Sequence, residues 1–236
     1  MQEINRFKKG VADGIPICIG YLSVSFAFGI FAVGSGLSPL EAILISMTNL
    51  TSAGQLAGVP IICGGGTLIE LAVSQLVINS RYSLMSVSLS QKLSEKITLA
   101  DRLLIAFGNT DEIFAVAASQ KAPVGKKYMY GLILSPYIGW ALGTLLGAVA
   151  GNILPEIITT SLGVAIYGMF IAIVVPEAKK SRAVALAVGI SIVLSCAFEY
   201  LPLLSAVPSG FVIIICAVLA SALMAVIAPL KEEAEE

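Results

Sequence analysis

The stretch Thr48-Asn-Leu-Thr-Ser-Ala-Gly-Gln55 interrupts an apolar segment that runs from residue 39 to residue 62, and Pro60 lies beyond it. A second stretch, Gly108-Asn-Thr-Asp-Glu112, interrupts the segment 103–119. Non-helical backbone at membrane depth is tolerated only where protein shields it or a wet cavity surrounds it. If the chain lies in a membrane, these two stretches therefore predict broken helices and not ordinary spans.

The composition around the two interruptions is that of a membrane protein. Of the 236 residues, 57% are hydrophobic and 12% are charged, with a mean hydropathy of +0.94. Soluble domains carry about 25% charged residues, so this chain has too little charge to cover a water-facing surface. Disorder needs few apolar residues, and a membrane β-barrel needs alternation that the run 212–218 lacks. We therefore predict an all-α polytopic membrane protein.

Eight apolar segments approach the roughly 20 residues that a spanning helix requires. Because the connections are short, we expect one integral membrane domain over residues 1–236, ending in a short acidic cytoplasmic tail at 231–236. The basic start is followed by a long apolar stretch without a cleavage site, so we expect an uncleaved first span. The eight segments are 11–34, 39–62, 66–90, 103–119, 128–151, 157–176, 182–200 and 208–229.

The positions of Lys and Arg predict how the segments are threaded, because cytoplasmic loops carry the excess of basic residues. If all eight segments cross, the connection 91–102 lies outside with three basic residues. If 39–62 and 103–119 are re-entrant, all 13 basic residues outside the segments become cytoplasmic. We therefore expect about six transmembrane helices and two re-entrant hairpins that enter from opposite sides, an inverted arrangement common in transporters. Both termini are then cytoplasmic, and eight full crossings are the alternative.

A stripe of small residues runs along the fifth segment at every fourth position. Such a stripe lets another backbone approach closely and predicts helix packing. It also offers a smooth face along which an element could slide. The residues are Gly131, Ser135, Gly139, Gly143, Gly147 and Gly151.

Charged residues inside the apolar segments are candidate functional groups, because a charge at the bilayer centre costs about 2.5–3.5 kcal/mol. Arg81 lies in Asn79-Ser-Arg-Tyr82, and Asp111 and Glu112 follow Asn109 and Thr110. One interpretation is an ion pair that stabilises the second interrupted segment. The other leaves a carboxylate for a substrate ammonium group or a coupling proton. Both stay open.

The first interruption is uncharged but rich in hydrogen-bonding groups. Where a helix breaks, its free backbone N–H groups form an anion site, so a substrate carboxylate could bind there. Alternatively, the polar side chains only satisfy the broken backbone. The candidate residues are Asn49, Ser52, Gly54 and Gln55.

Several classes of protein are disfavoured by what the sequence lacks. There is no His, which removes the usual metal ligand and proton shuttle. No phosphate-binding loop, dinucleotide fingerprint or basic arm is present, and the four cysteines lie in or beside apolar runs without a C-x-x-C motif. We expect no enzyme, no metal, no cofactor and no nucleic-acid partner; the lipid bilayer is the surrounding phase.

Seven stretches, taken in order and spacing, resemble the AzlC family, also called the YgaZ or branched-chain amino acid exporter family. Where that family is expected to have Asn-Leu-Arg, this chain has Asn79-Ser-Arg81. The stretches are Ala12-Asp-Gly-Ile-Pro16 with Phe26-Ala-Phe-Gly29, Gly36-Leu-Ser-Pro-Leu-Glu41, Ser52-Ala-Gly-Gln55, Asn79-Ser-Arg-Tyr-Ser-Leu-Met85, Asp111-Glu-Ile-Phe-Ala115 and Tyr137-Ile-Gly-Trp-Ala-Leu-Gly143.

The resemblance implies the large subunit of a two-component exporter in a prokaryotic cytoplasmic (inner) membrane. It implies a small AzlD-like membrane subunit as partner, valine, leucine and isoleucine as substrates, and coupling to the proton gradient; a higher oligomer stays open. In the expected mechanism, the first interruption binds the substrate carboxylate and Asp111 or Glu112 binds its ammonium group or the proton. Phe26, Phe114 and Trp140 then form the apolar wall. A passive channel for a small solute and an assembly subunit without its own site are the alternatives.

Overall fold

The structure, a computed structural model, describes residues 3–153, 155, 157, 168, 171, 174–176, 178–202, 204 and 206–228. Within these residues the chain is helical and contains no β-strand, which confirms the all-α prediction. The helices are α1 (Phe7–Gly34), α2 (Pro39–Thr48), α3 (Ser52–Cys63), α4 (Leu68–Lys92), α5 (Leu99–Phe107), α6 (Asp111–Ala118), α7 (Lys126–Ile153), α8 (Arg182–Tyr200) and α9 (Ser209–Ile227).

Four of these helices, α1, α7, α8 and α9, are long and apolar enough to cross a bilayer. At 1.5 Å per residue, the 25 residues of α4 span about 37 Å, but α4 also carries Glu70, Arg81 and Lys92. The chain is thus a polytopic membrane protein. The predicted segment 157–176 lies largely outside the described residues, and the acidic tail 231–236 lies wholly outside them.

The chain divides into two compact units. The first comprises 1–59 and 79–166, and the second comprises 60–78 and 167–236. In the second unit α8 packs on α9, and the buried Glu70 carboxylate accepts the Gly210 N–H at 2.9 Å. Both interruptions lie in the first unit. The single domain expected from the sequence stays a prediction.

In the first unit, α1 and α7 lie side by side and run in the same direction. Four contacts along α7 each join residues that are 121 positions apart, which requires parallel helices. A Cβ atom at any of the four α7 glycines would overlap atoms of α1. We call this α1–α7 contact the seam; its pairs are Gly131 with Gly10, Gly139 with Cys18, Gly143 with Leu22 and Gly147 with Phe26.

The other small residues of the stripe also face α1. The Ser135 hydroxyl donates to the Val11 carbonyl at 3.3 Å, and Gly151 makes ordinary contact with Ile30. From the opposite side, a Cβ on Gly29 of α1 would lie 2.6 Å from a backbone nitrogen of α7. Backbone therefore meets backbone along the seam, the kind of contact that glycines permit between membrane helices.

The segment 39–62 folds back on itself as α2 and α3, which we call hairpin 1. A capping box of Ser38 and Glu41 starts α2. Gln55 Nε2 donates to Ser46 Oγ at 2.8 Å, and Ala42 shares one buried cluster with Val59. Ala42 lies one turn before Ser46 in α2, and Val59 lies one turn after Gln55 in α3. The two helices therefore run antiparallel. A continuous helix would separate Ala42 from Val59 by about 25 Å.

The segment 103–119 folds back in the same way as α5 and α6, which we call hairpin 2. Its two arms share a buried cluster through Ile105 and Ile113, and Tyr128 near the start of α7 belongs to the same cluster. At the start of α5, Asp101 accepts hydrogen bonds from Lys126 at 3.3 Å and from Tyr130. Ala117, near the end of α6, also belongs to the cluster that contains Tyr128, so both ends of hairpin 2 lie near the N-terminal end of α7.

The direction of α4 in the first unit decides between the two predicted threadings. Asn79 meets Thr51 of hairpin 1, whereas Leu93, just after α4, pairs with Val124, which also pairs with Ile4. The N-terminal segment, the connection 91–102 and the start of α7 therefore meet at one end. Eight crossings would place 91–102 at the opposite end and do not fit this geometry. Both interrupted segments therefore fold back as helical hairpins, as the threading with two hairpins requires.

Candidate functional site

The bends of the two hairpins approach the seam at the midpoints of α1 and α7. We call residues 47–55 tip 1 and residues 107–112 tip 2. Tyr21 and Trp140, each halfway along its helix, pack edge to face with ring centroids 5.0 Å apart. Leu50 of tip 1 lies in the same buried cluster, and Phe107 of tip 2 packs against Tyr137 with centroids 6.1 Å apart.

Tip 1 contains a closed chain of buried hydrogen bonds. Trp140 Nε1 donates to Gln55 Oε1 at 3.0 Å, and Gln55 Nε2 donates to Ser46 Oγ at 2.8 Å. Ser46 in turn shares a 2.7 Å hydrogen bond with Thr144 of α7. Both amide atoms of Gln55, a predicted substrate-binding residue, are thus bonded within the protein. Buried, fully satisfied polar networks of this kind rigidify a fold.

Further hydrogen bonds hold the backbone and side chains of tip 1. Thr51 Oγ1 donates to Asn79 Oδ1 at 2.9 Å and accepts the Gly54 N–H at 3.4 Å. The Tyr137 hydroxyl donates to the Met47 carbonyl at 2.9 Å. Asn49 ends α2, and its N–H bonds the Ile45 carbonyl. Ser52 lies in the first turn of α3, where N–H groups have no acceptor inside the helix.

Tip 2 places its two acids against different partners. The Asp111 carboxylate forms a 2.7 Å ion pair with Arg81. The Glu112 carboxylate accepts a short hydrogen bond from the Tyr21 hydroxyl, which forms a second one, 2.6 Å long, with Thr110 Oγ1. Among the described residues no Lys or Arg pairs with Glu112. The two acids and Arg81 thus leave tip 2 with one negative charge.

The Tyr21 contact also changes how α6 begins. Thr110 is the N-cap residue, but its side chain makes no capping bond to the helix; its oxygen is instead hydrogen-bonded to Tyr21. Asp111 and Glu112 occupy the first turn, where carboxylates are favoured by the helix dipole. The α6 N-terminus is therefore stabilised by charge and not by its cap.

The charged side chains at tip 2 are about half exposed, whereas Asn109 beside them is buried. The Arg81 and Asp111 side chains are 46% and 47% exposed, and Arg81 lies over the Tyr82 ring. Asn109 is only 3% exposed, and its Nδ2 donates to Ser86 Oγ at 3.4 Å. Within the described part of the chain, Asn109 Oδ1 is the buried side-chain polar atom that lacks a hydrogen-bond partner.

The three predicted wall residues are not brought together as one surface. Trp140 is buried beside Tyr21, and Phe114 packs against the cluster of hairpin 2. Phe26 lies against Gly147, two turns further along α7 than Trp140. Sequence reasoning missed Tyr21, Ser46 and Ser86, whose partners are 9 to 98 residues away. Of the three, Tyr21 could have been found from the sequence, because a tyrosine inside a membrane span needs a hydrogen-bond partner for its hydroxyl.

Membrane-length helices around two interrupted hairpins, with charged and amide side chains at half depth, define a polytopic membrane protein with an internal polar site. The family model described as AzlC protein matches residues 16–154, which include both hairpins, α4 and the seam apart from its Gly10–Gly131 end. Since this match covers more than half of the chain, the chain belongs to the AzlC family.

Three relatives share this similarity. Inner membrane protein YgaZ of Escherichia coli is 31% identical over 150 residues, covering 62% of this chain and 61% of YgaZ. An uncharacterized membrane protein of Archaeoglobus fulgidus is 31% identical over 175 residues, covering 73% and 76% of the two chains. The branched-chain amino acid transport protein AzlC of Bacillus subtilis is 22% identical over 179 residues, covering 75% and 69%. No solved structure matches.

Proposed function

We propose that this chain is the large subunit of a secondary transporter that exports branched-chain amino acids. The observation that carries the proposal is the meeting of two broken hairpins at mid-depth, one neutral and one with a net negative charge. Discontinuous helices at this depth form the substrate sites of many transporters. The name of the Bacillus subtilis relative supplies the class of substrate.

The two tips complement the two ends of an amino-acid zwitterion. At tip 1, the first-turn N–H groups of α3, including that of Ser52, provide the positive end of a helix for a carboxylate. At tip 2, Glu112 provides a carboxylate without a basic partner among the described residues. The aliphatic side chain requires an apolar wall, for which Trp140 and Leu50 are the nearest buried candidates. Such walls separate chain lengths by only about 1–3 kcal/mol per methylene, so several aliphatic substrates are expected.

The proposal includes a small AzlD-like subunit, coupling to the proton gradient and a location in the cytoplasmic membrane. The name of the Escherichia coli relative supports an inner-membrane location. The end of the first unit that gathers Ile4, Leu93 and Val124 is flanked by basic residues of three segments. By the positive-inside rule this end faces the cytoplasm. After the native cysteines are replaced, single cysteines at Lys96 and Lys126 should react only from the cytoplasmic side; labelling of either from outside contradicts the orientation.

The test of transport is efflux of labelled valine from vesicles that contain both subunits, with and without a pH gradient. Glu112→Gln should fold in normal yield and lose at least about tenfold in efflux, since a charge-assisted hydrogen bond is worth about 1.5–3 kcal/mol. The matched control is Glu95→Gln, at an exposed acid in the connection between α4 and α5, which should export like the parent.

The same assay separates the proposal from its two alternatives. A passive channel would equilibrate valine but would not move it against its gradient. An assembly subunit without its own site would export normally after both Glu112→Gln and Asp111→Asn, provided that the complex forms. Either result would overturn the proposed function.

A further inference from the structure

Asn109 is placed to bind a ligand, because its side-chain amide is buried and only its nitrogen has a hydrogen-bond partner among the described residues. The side chain is 3% exposed, and the donor edge of the amide is fixed by Ser86 Oγ of α4 at 3.4 Å. The acceptor edge, Oδ1, has no partner among the described residues. Leaving a buried acceptor unpaired costs free energy, so such an atom in a native site calls for a donor that arrives with a ligand.

The charges around Asn109 favour a cation as that donor. Asn109 lies between the C-terminal end of α5, which favours positive charge, and the N-terminal end of α6, which favours negative charge, so the sign is decided by the side chains. Glu112 lies three residues further on with only the neutral Tyr21 hydroxyl as its hydrogen-bond partner. Arg81 does not cancel this charge, because its ion pair is with Asp111. The site thus combines one amide oxygen and one negative charge, which fits a monovalent N–H donor.

We infer that Asn109 Oδ1 and the Glu112 carboxylate form an ammonium subsite that receives the amino group of the transported amino acid. This inference rests on the proposed function and assigns to tip 2 one end of the substrate. Tyr21 acts as a positioning residue, since its hydroxyl bonds both Glu112 and Thr110 and so fixes the carboxylate beside the break. The Arg81–Asp111 pair lies outside the subsite.

The experiment uses the detergent-purified complex of both subunits and two half-substrates as competitors of labelled valine. Isobutylamine carries the ammonium group alone, and isovalerate carries the carboxylate alone. Asn109→Leu should weaken competition by isobutylamine at least about tenfold, the loss expected for one hydrogen bond to a charged group. Competition by isovalerate should change less than about threefold. Asn109→Asp keeps an acceptor oxygen and should retain competition by the amine.

Two further variants separate binding from a structural role. Ser86→Ala removes the partner of Asn109 Nδ2 but leaves Oδ1 in place, so amine competition should persist. Gln120→Leu makes the same amide-to-apolar change just after α6, where Gln120 Nε2 donates to the Val116 carbonyl of that helix, and should leave both competitors unaffected. If Asn109→Leu does not fold, Asn109→Asp and Ser86→Ala still decide. Loss of amine competition in both would assign Asn109 a structural role and overturn the inference.

The outcomes also distinguish this inference from the proposed function. If the parent complex binds neither valine nor isobutylamine, the proposed function fails together with the subsite. If valine binds and Asn109→Leu weakens both competitors equally, the function stands and the ammonium subsite is overturned. If valine binding instead requires Na⁺, and Asn109→Leu weakens the Na⁺ dependence but not amine competition, the oxygen serves an alkali cation and the inference is wrong.

Discussion

Hairpin 1 and hairpin 2 both bend at the midpoint of the seam, but their polar side chains have different surroundings. In hairpin 1, Gln55 and Ser46 are buried and bonded to Trp140 and Thr144 of α7. In hairpin 2, the acids are exposed, and the buried Asn109 keeps one acceptor atom without a protein partner. A satisfied network stabilises a fold, whereas an unsatisfied buried group indicates a place for a ligand. We therefore expect the Gln55 network of hairpin 1 to act as framework, and the polar side chains of hairpin 2 to contact a ligand.

The largest effect is expected from a substitution in the seam, because the seam supports both hairpins. In Gly143→Leu, the new side chain overlaps Ser25 and the Leu22 backbone of α1. Backbone cannot rotate away as a side chain can. The loss of folding stability should therefore exceed the roughly 1–3 kcal/mol that overpacking usually costs. Folded yield, measured by size-exclusion chromatography in detergent, should fall severely. Gly20→Leu is the matched control, because Gly20 of α1 has open space around it. Normal yield of Gly143→Leu would contradict the seam.

The next change breaks hairpin 1 alone. Gln55→Leu leaves the buried Trp140 Nε1 without its acceptor, at about 1–3 kcal/mol for the stranded group. Ser46 Oγ loses the Gln55 donor but keeps its hydrogen bond with Thr144. Thermal unfolding in detergent should therefore occur at a clearly lower temperature than in the parent. The exposed Gln91→Leu serves as control. Valine efflux per folded molecule should be preserved in Gln55→Leu, and a variant that is stable but inactive would place Gln55 in the ligand site after all.

A smaller effect is expected at the Arg81–Asp111 pair of hairpin 2. Both side chains are about half exposed, so solvent screening should limit their coupling to about 0.2–1 kcal/mol. The double-mutant cycle of Arg81→Gln and Asp111→Asn, read by free energy of unfolding, measures this coupling. A coupling of several kcal/mol would show that the pair is buried in the assembled protein and belongs to the framework, which would weaken the contrast between the hairpins.

The smallest effect concerns the base of hairpin 2 and depends on pH. The hydrogen bond from Tyr130, with further ones from Thr98, lowers the pKa of Asp101. A lowered pKa in the folded state stabilises the protein at any pH above the ordinary carboxyl pKa of roughly 4. This stabilisation is lost as the pH falls through the folded-state pKa. Tyr130→Phe should therefore unfold slightly more easily at pH 7, and the difference should shrink on acidification. A difference that grows at low pH would contradict the assignment.

The sequence predicted the architecture where one physical rule acts locally. The polar stretches at Thr48–Gln55 and Gly108–Glu112 predicted the two bends, because helix-breaking residues need shielding at membrane depth. The Lys and Arg distribution predicted that the connection 91–102 lies at the same end as the N-terminus. Each of these signals can be read within a few residues or from the charge of a loop.

The sequence could not predict which side chain each polar group meets. Two adjacent acids and one Arg predicted an unpaired acid but not that it is Glu112 or that Tyr21, 91 residues earlier, bonds it. The composition of tip 1 suited a ligand site and an internal network equally. Only the position of Trp140 on α7 shows that Gln55 is bonded internally, and such a contact depends on how distant helices align.

The parallel seam has a consequence for how the protein is made. Its contacts join residues 121 positions apart, so α1 enters the membrane long before α7 is synthesised. During that interval the glycine face of α1 lacks α7, and hairpin 1 lacks Trp140 and Thr144, its later hydrogen-bond partners. Contacts between distant residues form late and leave surfaces open to wrong partners meanwhile. Assembly of the first unit is therefore a post-insertion event, and α7 is the helix whose arrival completes it.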